Sequence, residues 1–150
     1  MAHVQQLTLD AIAAAISAVP GVALPGGVYL DRVDPLQLTD LPCVCIDEDG
    51  PETIDTLGED PYGFTQRRTL NVKVAIVIAG NAPASAARAN GLLIEQALYA
   101  NAALRSIMSG YQINSSDYEQ SGTSERLYNQ RVQRWQFTYT TSSTDPSKFI

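Results

Sequence analysis

Apolar residues recur at helical spacing near the start of the chain. Leu9, Ile12, Ile16 and Val19 fall on one face of a helix spanning 4–19, with Ala11, Ala13, Ala14 and Ala15 adding helix propensity between them. Pro20-Gly21 ends it, 20–27 reads as a loop, and Val28-Tyr29-Leu30 fits a short strand. Residues 31–41 show no pattern, whereas Leu41 to Ile46 is a short apolar run with β-branched members. Pro42 places that run at a sheet edge or at the start of a strand. The clearest signal follows. From Arg68 to Ile78, Leu70, Val72, Val74, Ile76 and Ile78 alternate with Thr69, Asn71, Lys73, Ala75 and Val77, a long strand with one buried face and a far end buried on both. After Gly80-Asn81 a second helix is expected to about Asn101, capped by Asn81 or Ser85, with Pro83 in its first turn. Its inner face is read as Ala86, Asn90, Leu93, Ala97 and Ala100, with Ile94 and Leu98 beside it. Tyr111 to Tyr118 reads as a strand and Gln120 to Glu125 as a polar turn. Over 130–141, Trp135, Phe137 and Tyr139 alternate with Arg134, Gln136 and Thr138. Trp135 is expected to pack on the helix carrying Leu93 and Ala97. This order predicts an α+β fold: a mostly antiparallel sheet of four to five strands with two helices packed on one face. Residues 1–141 form the single domain, and the polar tail 142–150 is expected to fray.

Length and composition narrow the class. A chain of 150 residues forms one domain that buries about 68–70% of the surface its unfolded form exposes. A net charge of −6 argues against a nucleic-acid reader, which needs a basic footprint. Residues 1–20 lack the basic start and solid apolar run of a signal peptide, and no stretch reaches the roughly 18 apolar residues of a membrane span. The two cysteines, Cys43 and Cys45, flank Val44, so on a strand both point to one face with Val44 and Ile46 on the other. Same-face neighbours on an extended chain lie at the limit of disulfide reach. Two buried, reduced thiols packing as small hydrophobes is the reading, consistent with folding in the cytoplasm.

A search for chemistry returns little. The single histidine, His3, lies almost at the terminus, which disfavours a histidine triad or a histidine metal site. No phosphate-binding glycine loop is present. Asp47-Glu48-Asp49-Gly50, aligned as a calcium loop, puts Cys45 first and Thr56 twelfth, where a hard cation wants carboxylates. Nothing singles out a carboxylate pair for hydrolysis, and no cofactor is expected. Charge is nevertheless patterned. The stretch 47–63 holds Asp47, Glu48, Asp49, Glu52, Asp55, Glu59 and Asp60 without a base, and reads as a long mobile loop or a partner-binding arm. Bases gather on the two long strands: Arg67, Arg68 and Lys73 on one, Arg126, Arg131 and Arg134 on the other. If those strands are neighbours they form a basic stripe, either an ordinary solvated face or a dock for the acidic segment of another copy. Arg68 is expected at the exposed, fraying start of its strand.

Taken together, the pieces resemble the tail terminator proteins of long-tailed bacteriophages, the lambda-type minor tail proteins that cap the tail tube. The resemblance runs through the N-terminal helix, LPCVCIDEDGPE leaving into an acidic segment, RRTLNVKVAIVIAG, the helix ARANGLLIEQALYANAAL, GYQINSSDYE and the closing RWQFTYTT, over about 4–141. It implies a non-enzymatic virion protein assembled in the host cytoplasm as a homohexameric ring. In that family the ring sits on the last disc of the tail tube protein, stops its growth and offers a surface to the head–tail connector or stopper protein. In a contractile tail it would also meet the sheath. Another ring protein of the neck is the alternative implied, and a small carboxylate hydrolase the remote one. A globule of this length has a radius of gyration of about 15 Å and a diameter of roughly 38 Å, so six in a ring leave a hole that passes duplex DNA. An acidic wall would let that DNA slide without sequence-specific binding.

Overall fold

The computed structural model describes residues 3–19, 27–33, 36, 40–60, 63–123 and 126–150, with no account of the side chains at 59, 60, 120–123, 126 and 127. The helix expected at the start is α1, Val4–Ser17, and it buries Val4, Leu9, Ile12 and Ile16 as the spacing requires. His3 caps it: the ring Nδ1 accepts the Gln5 backbone N–H at 3.1 Å, satisfying one of the helix's open donors. The loop expected at 20–27 lies outside the described residues as far as 26.

The strands are β1 Gly27–Leu30, β2 Cys43–Glu48, β3 Thr53–Asp60, β4 Gly63–Ala79, β5 Gly110–Thr123, β6 Arg126–Ser142 and β7 Asp145–Phe149. They make one seven-stranded sheet in the order β1-β2-β4-β6-β5, with β3 also paired to β4 and β7 to β6. All pairs are antiparallel except β1 with β2. Pro42 therefore starts a strand that is internal to the sheet rather than at its edge. The axis of the sheet is the β4–β6 ribbon, 17 residues on each strand and about 56 Å in contour at roughly 3.3 Å per residue. At one end β4 pairs with β2, and at the other with β3.

Among the described residues three helices, not two, cover one face: α1, α2 Ala84–Ala100 and α3 Ala102–Ile107. Asn101 ends α2 and caps α3, its side-chain oxygen accepting the Leu104 N–H at 2.9 Å. Pro83 occupies the N-cap position of α2 without a side-chain bond, so neither Asn81 nor Ser85 plays that part. The inner face of α2 is Ala87, Gly91, Ile94 and Leu98 rather than the row through Leu93, which is exposed. Ile94 and Leu98 join the even positions of β4, from Leu70 to Ile76, and Trp135, Phe137 and Tyr139 of β6 in the main core. Gly91 is needed for close approach. A Cβ there would stand 3.1 Å from the Gln133 side-chain nitrogen, which donates to the Gly91 carbonyl at 3.0 Å.

Two stretches expected to be irregular are ordered strands. Most of the acidic segment 47–63 is the end of β2 and all of β3, joined by a turn at Gly50, whose φ of +89° suits glycine. As an edge strand with neither face in the core, β3 needs no alternation, and its acids suit an edge that must resist strand addition. The tail expected to fray carries β7, where the Phe149 ring meets Tyr139 edge-on at 5.5 Å. Of the polar turn expected at 120–125, residues 120–123 belong to β5 instead, and 124 and 125 lie outside the described residues.

Candidate functional site

The charged residues singled out in the sequence all lie on or beside β2, β3, β4 and β6, and the two-residue period of those strands sorts them onto both faces of the sheet. Arg67, Lys73 and Arg134 occupy the outer face, away from the helices. Lys73 pairs in register with Arg134, and Arg67 with Thr140. Arg68 and Arg131 belong to the inner face, opposite Tyr139 and Ile76. The expected basic stripe is therefore divided in two. The side chain of Arg126 is outside the described residues.

The acids meet these bases within the same chain. Asp47 stands opposite Lys73, and Asp55 opposite Arg67. Burial, followed by the Asp31 charge, raises the Asp47 carboxyl above the usual range, and Lys73 opposes the shift. Asp49 accepts a 2.9 Å bond from Arg134, and this contact holds the guanidinium above its ordinary pKa. Glu48 is exposed at the end of β2. Glu59 and Asp60 sit on the β3 backbone opposite Phe64 and Gly63. Of these contacts only Asp49–Arg134 is an ion pair, an open one that contributes little, and Asp117 and Glu119 of β5, opposite Val132 and Gln130, add acids to the same outer face.

Glu52 and Arg68 form a different kind of site, sunk into the inner face where the helix layer ends. Arg68 is only 9% exposed. Its Nε donates to Thr141 Oγ1 at 3.0 Å, one terminal nitrogen donates to Gln66 at 3.2 Å, and the other stands 3.6 Å from Glu52. The Tyr139 hydroxyl donates to Glu52 Oε1 at 2.9 Å, while Oε2 is buried without a hydrogen bond. Burial first, then the Glu52 carboxylate, drives the Tyr139 pKa far above the ordinary tyrosine value. This cluster holds β3, β4 and β6 together across the sheet. Arg68 is thus a buried structural residue, not an exposed one at a fraying strand start.

Of the two thiols expected to be buried, Cys43 is buried and Cys45 is half-buried. Cys43 and Cys45 are free, share the outer face, and join Leu41, Ala75, Val77 and Val132 in a small second cluster. Their mutual hydrogen bond, with burial adding to it, holds Cys43 protonated and biases Cys45 the other way. Two shallow hollows flank the start of β5, one lined by Gly110, Tyr111, Gln112, Gln136 and Thr138, the other by Tyr99, Arg105, Met108, Ser109, Gly110 and Tyr111. Neither brings carboxylates together. Among the described residues no group of three His, Cys, Asp or Glu is placed to hold a metal, and no helix is long and apolar enough to cross a membrane.

No family of known proteins matches the sequence, and no curated protein does. Among solved structures, the chain is similar to one in the virion of a native gene transfer agent particle, at 16% identity over 91% of this chain and 92% of that one. The TM-score is 0.38, a likeness too loose to carry fold or role from one to the other.

Proposed function

We propose that this chain is a structural subunit of a phage-type tail, a terminator that assembles as a homohexameric ring on the last disc of the tail tube protein. There it stops tube growth and offers its free side to the head connector. The reading rests on the order of sequence elements shared with the tail terminators. The observation in the fold that supports it best is the β4–β6 ribbon. Each of its strands runs about 56 Å in contour, and its two ends are unlike, with β2 and β5 flanking one and β3 and β7 the other. A ring subunit must touch a different neighbour on each side, and a long ribbon with dissimilar ends suits such heterologous closure. The outer face, rich in Thr, Asn and Gln, suits broad polar contact rather than catalysis.

A tube of stacked identical rings presents the same growing surface after every addition, so length control requires something to occupy that surface. Tubes assembled without this protein should overrun their normal length and fail to join heads. Tails of normal length, joined to heads in its absence, would rule termination out.

A further inference from the structure

The outer face of β2 sets two thiols side by side, on the side of the sheet away from the helices. Same-face neighbours on a strand have Cα atoms about 6.6 Å apart at roughly 3.3 Å per residue, within the roughly 6.8 Å that a disulfide spans. The two side chains share a hydrogen bond, so the sulfurs are turned toward each other. Small residues beside them leave room, Gly27 of β1 next to Cys43 and Ala75 of β4 next to Cys45. Cys43 is fully buried and Cys45 half-buried, so a reagent arriving from solvent meets Cys45 first. Cations gather at the same end. Arg32 stands over the Tyr29 ring, 4.2 Å from its centroid, and Tyr29 is in register with Cys45. Arg32 also pairs with Asp40 at 3.1 Å. Lys73 is one strand period from Ala75, diagonal to Cys45, and Asp47 opposes both cations from the next position on the same face of β2. The bond from Cys43, helped by Arg32 and Lys73, outweighs burial and Asp47, so Cys45 favours the thiolate while Cys43 keeps its proton. A half-exposed thiolate with a protonated thiol poised beside it is the arrangement that peroxide-sensing cysteines use.

We propose that Cys45 is a hydroperoxide-sensitive thiol and Cys43 the thiol that resolves it, the pair closing to a reversible disulfide along β2. The Cys45 sulfur attacks one peroxide oxygen and the O–O bond breaks. The hydroxide released takes up the proton that Cys45 had given to solvent and leaves as water, with a sulfenic acid left on Cys45. The Cys43 sulfur then attacks the Cys45 sulfur, the S–O bond breaks, and the hydroxyl departs with the Cys43 proton as a second water. Two thiols and one peroxide thus become one disulfide and two waters, sulfur being oxidised and peroxide oxygen reduced. Burial among Leu41, Ala75, Val77 and Val132 keeps Cys43 from reacting first, and its fixed place beside Cys45 makes the second step fast. A bridge at the edge of disulfide reach is strained and hence readily reduced, which lets a dithiol reductant reset the pair. This chemistry belongs to one subunit and does not depend on tube capping.

The test uses the full, reduced chain with hydrogen peroxide as the probe and mass spectrometry of intact and digested protein as the readout. At neutral pH, iodoacetamide should label Cys45 at least about tenfold faster than Cys43, as expected of a thiolate beside a buried thiol. One equivalent of peroxide should remove two hydrogens from the chain and link 43 to 45, and dithiothreitol should restore them. Cys43→Ser should stop the reaction at a sulfenic acid on Cys45, which dimedone traps, while Cys45→Ser should leave Cys43 reduced at the same dose. Should Cys43→Ser melt early by burying a hydroxyl, Cys43→Ala takes its place. Equal labelling of the two thiols, a folded chain that peroxide oxidises no faster than the urea-unfolded one, a sulfenic acid that never closes to a bridge in the unsubstituted chain, or bridges between chains instead of within one would each overturn the proposal. Overlong tubes or normal ones leave these outcomes unchanged, so the thiol chemistry and the capping role fail separately.

Discussion

Arg68→Glu is expected to destabilise the chain by at least about 3–5 kcal/mol, the usual effect of breaking a buried ion pair by removing one partner. The substitution removes the bonds to Thr141 and Gln66 and sets a second carboxylate against Glu52, whose Oε2 already lacks a partner. A domain of this size has only about 5–15 kcal/mol in hand, so a large fraction of the variant should be unfolded or insoluble at physiological temperature. The adjacent substitution is the control. Arg67 is exposed on the other face, and Arg67→Glu merely puts a like charge across from Asp55, which costs about 0.2–1 kcal/mol. Paired urea unfolding curves should therefore separate two neighbouring arginines by several kcal/mol. Equal midpoints would mean that the faces of β4 are assigned wrongly around its Arg67–Arg68 step.

Trp135→Ala should cost about 3–5 kcal/mol as well, through loss of a buried aromatic. The ring is 1% exposed and stands 5.1 Å from the Tyr99 ring and 6.0 Å from that of Phe137. Its Nε1 donates to Gln133 Oε1 at 3.0 Å, and Gln133 in turn donates to Gly91 on α2. Truncation would open a cavity and also leave a buried amide oxygen without its donor, adding to the loss. Trp135→Phe should recover most of the packing but not that bond, and so fall between the two. A melting curve unmoved by Trp135→Ala would mean that β6 presents its aromatic row to solvent.

The two cases show where the sequence was readable. Elements with one buried face were plain: α1, β4 and β6 each carry an apolar period that the core enforces, and their long pairing follows from it. The helix layer on one face was legible for the same reason. The inner row of α2 was misjudged because small residues fill it. Ala87 and Gly91 are buried to let the helix approach the sheet, while the larger Leu92 and Leu93 point outward. Size, not hydropathy alone, decided which side faced in. β3 was hidden because neither of its faces lies in the core, and β7 because it is short and polar. α3 is a single capped turn and a half, too short for a period to show.

The charged site was legible in composition but not in partnership. That acids gather at 47–60 and bases on the two long strands was visible at once. That β3 lies against β4 required knowing that the acidic stretch is a strand. One part was accessible from parity alone: Arg67 and Arg68, and likewise Arg131 and Arg134, are separated by odd numbers of residues, so neither pair can share a face of a regular strand. The interior position of Glu52, by contrast, depends on the Gly50 turn and the register of β3, which no local pattern encodes.

The central claim, a ring that caps the tube, is tested most directly by imaging the neck of a purified particle at side-chain resolution. The account predicts six copies of this chain in one closed ring seated on the last tube disc, between tube and connector. A ring one layer nearer the capsid, a different copy number, or a neck from which this chain is absent would contradict it.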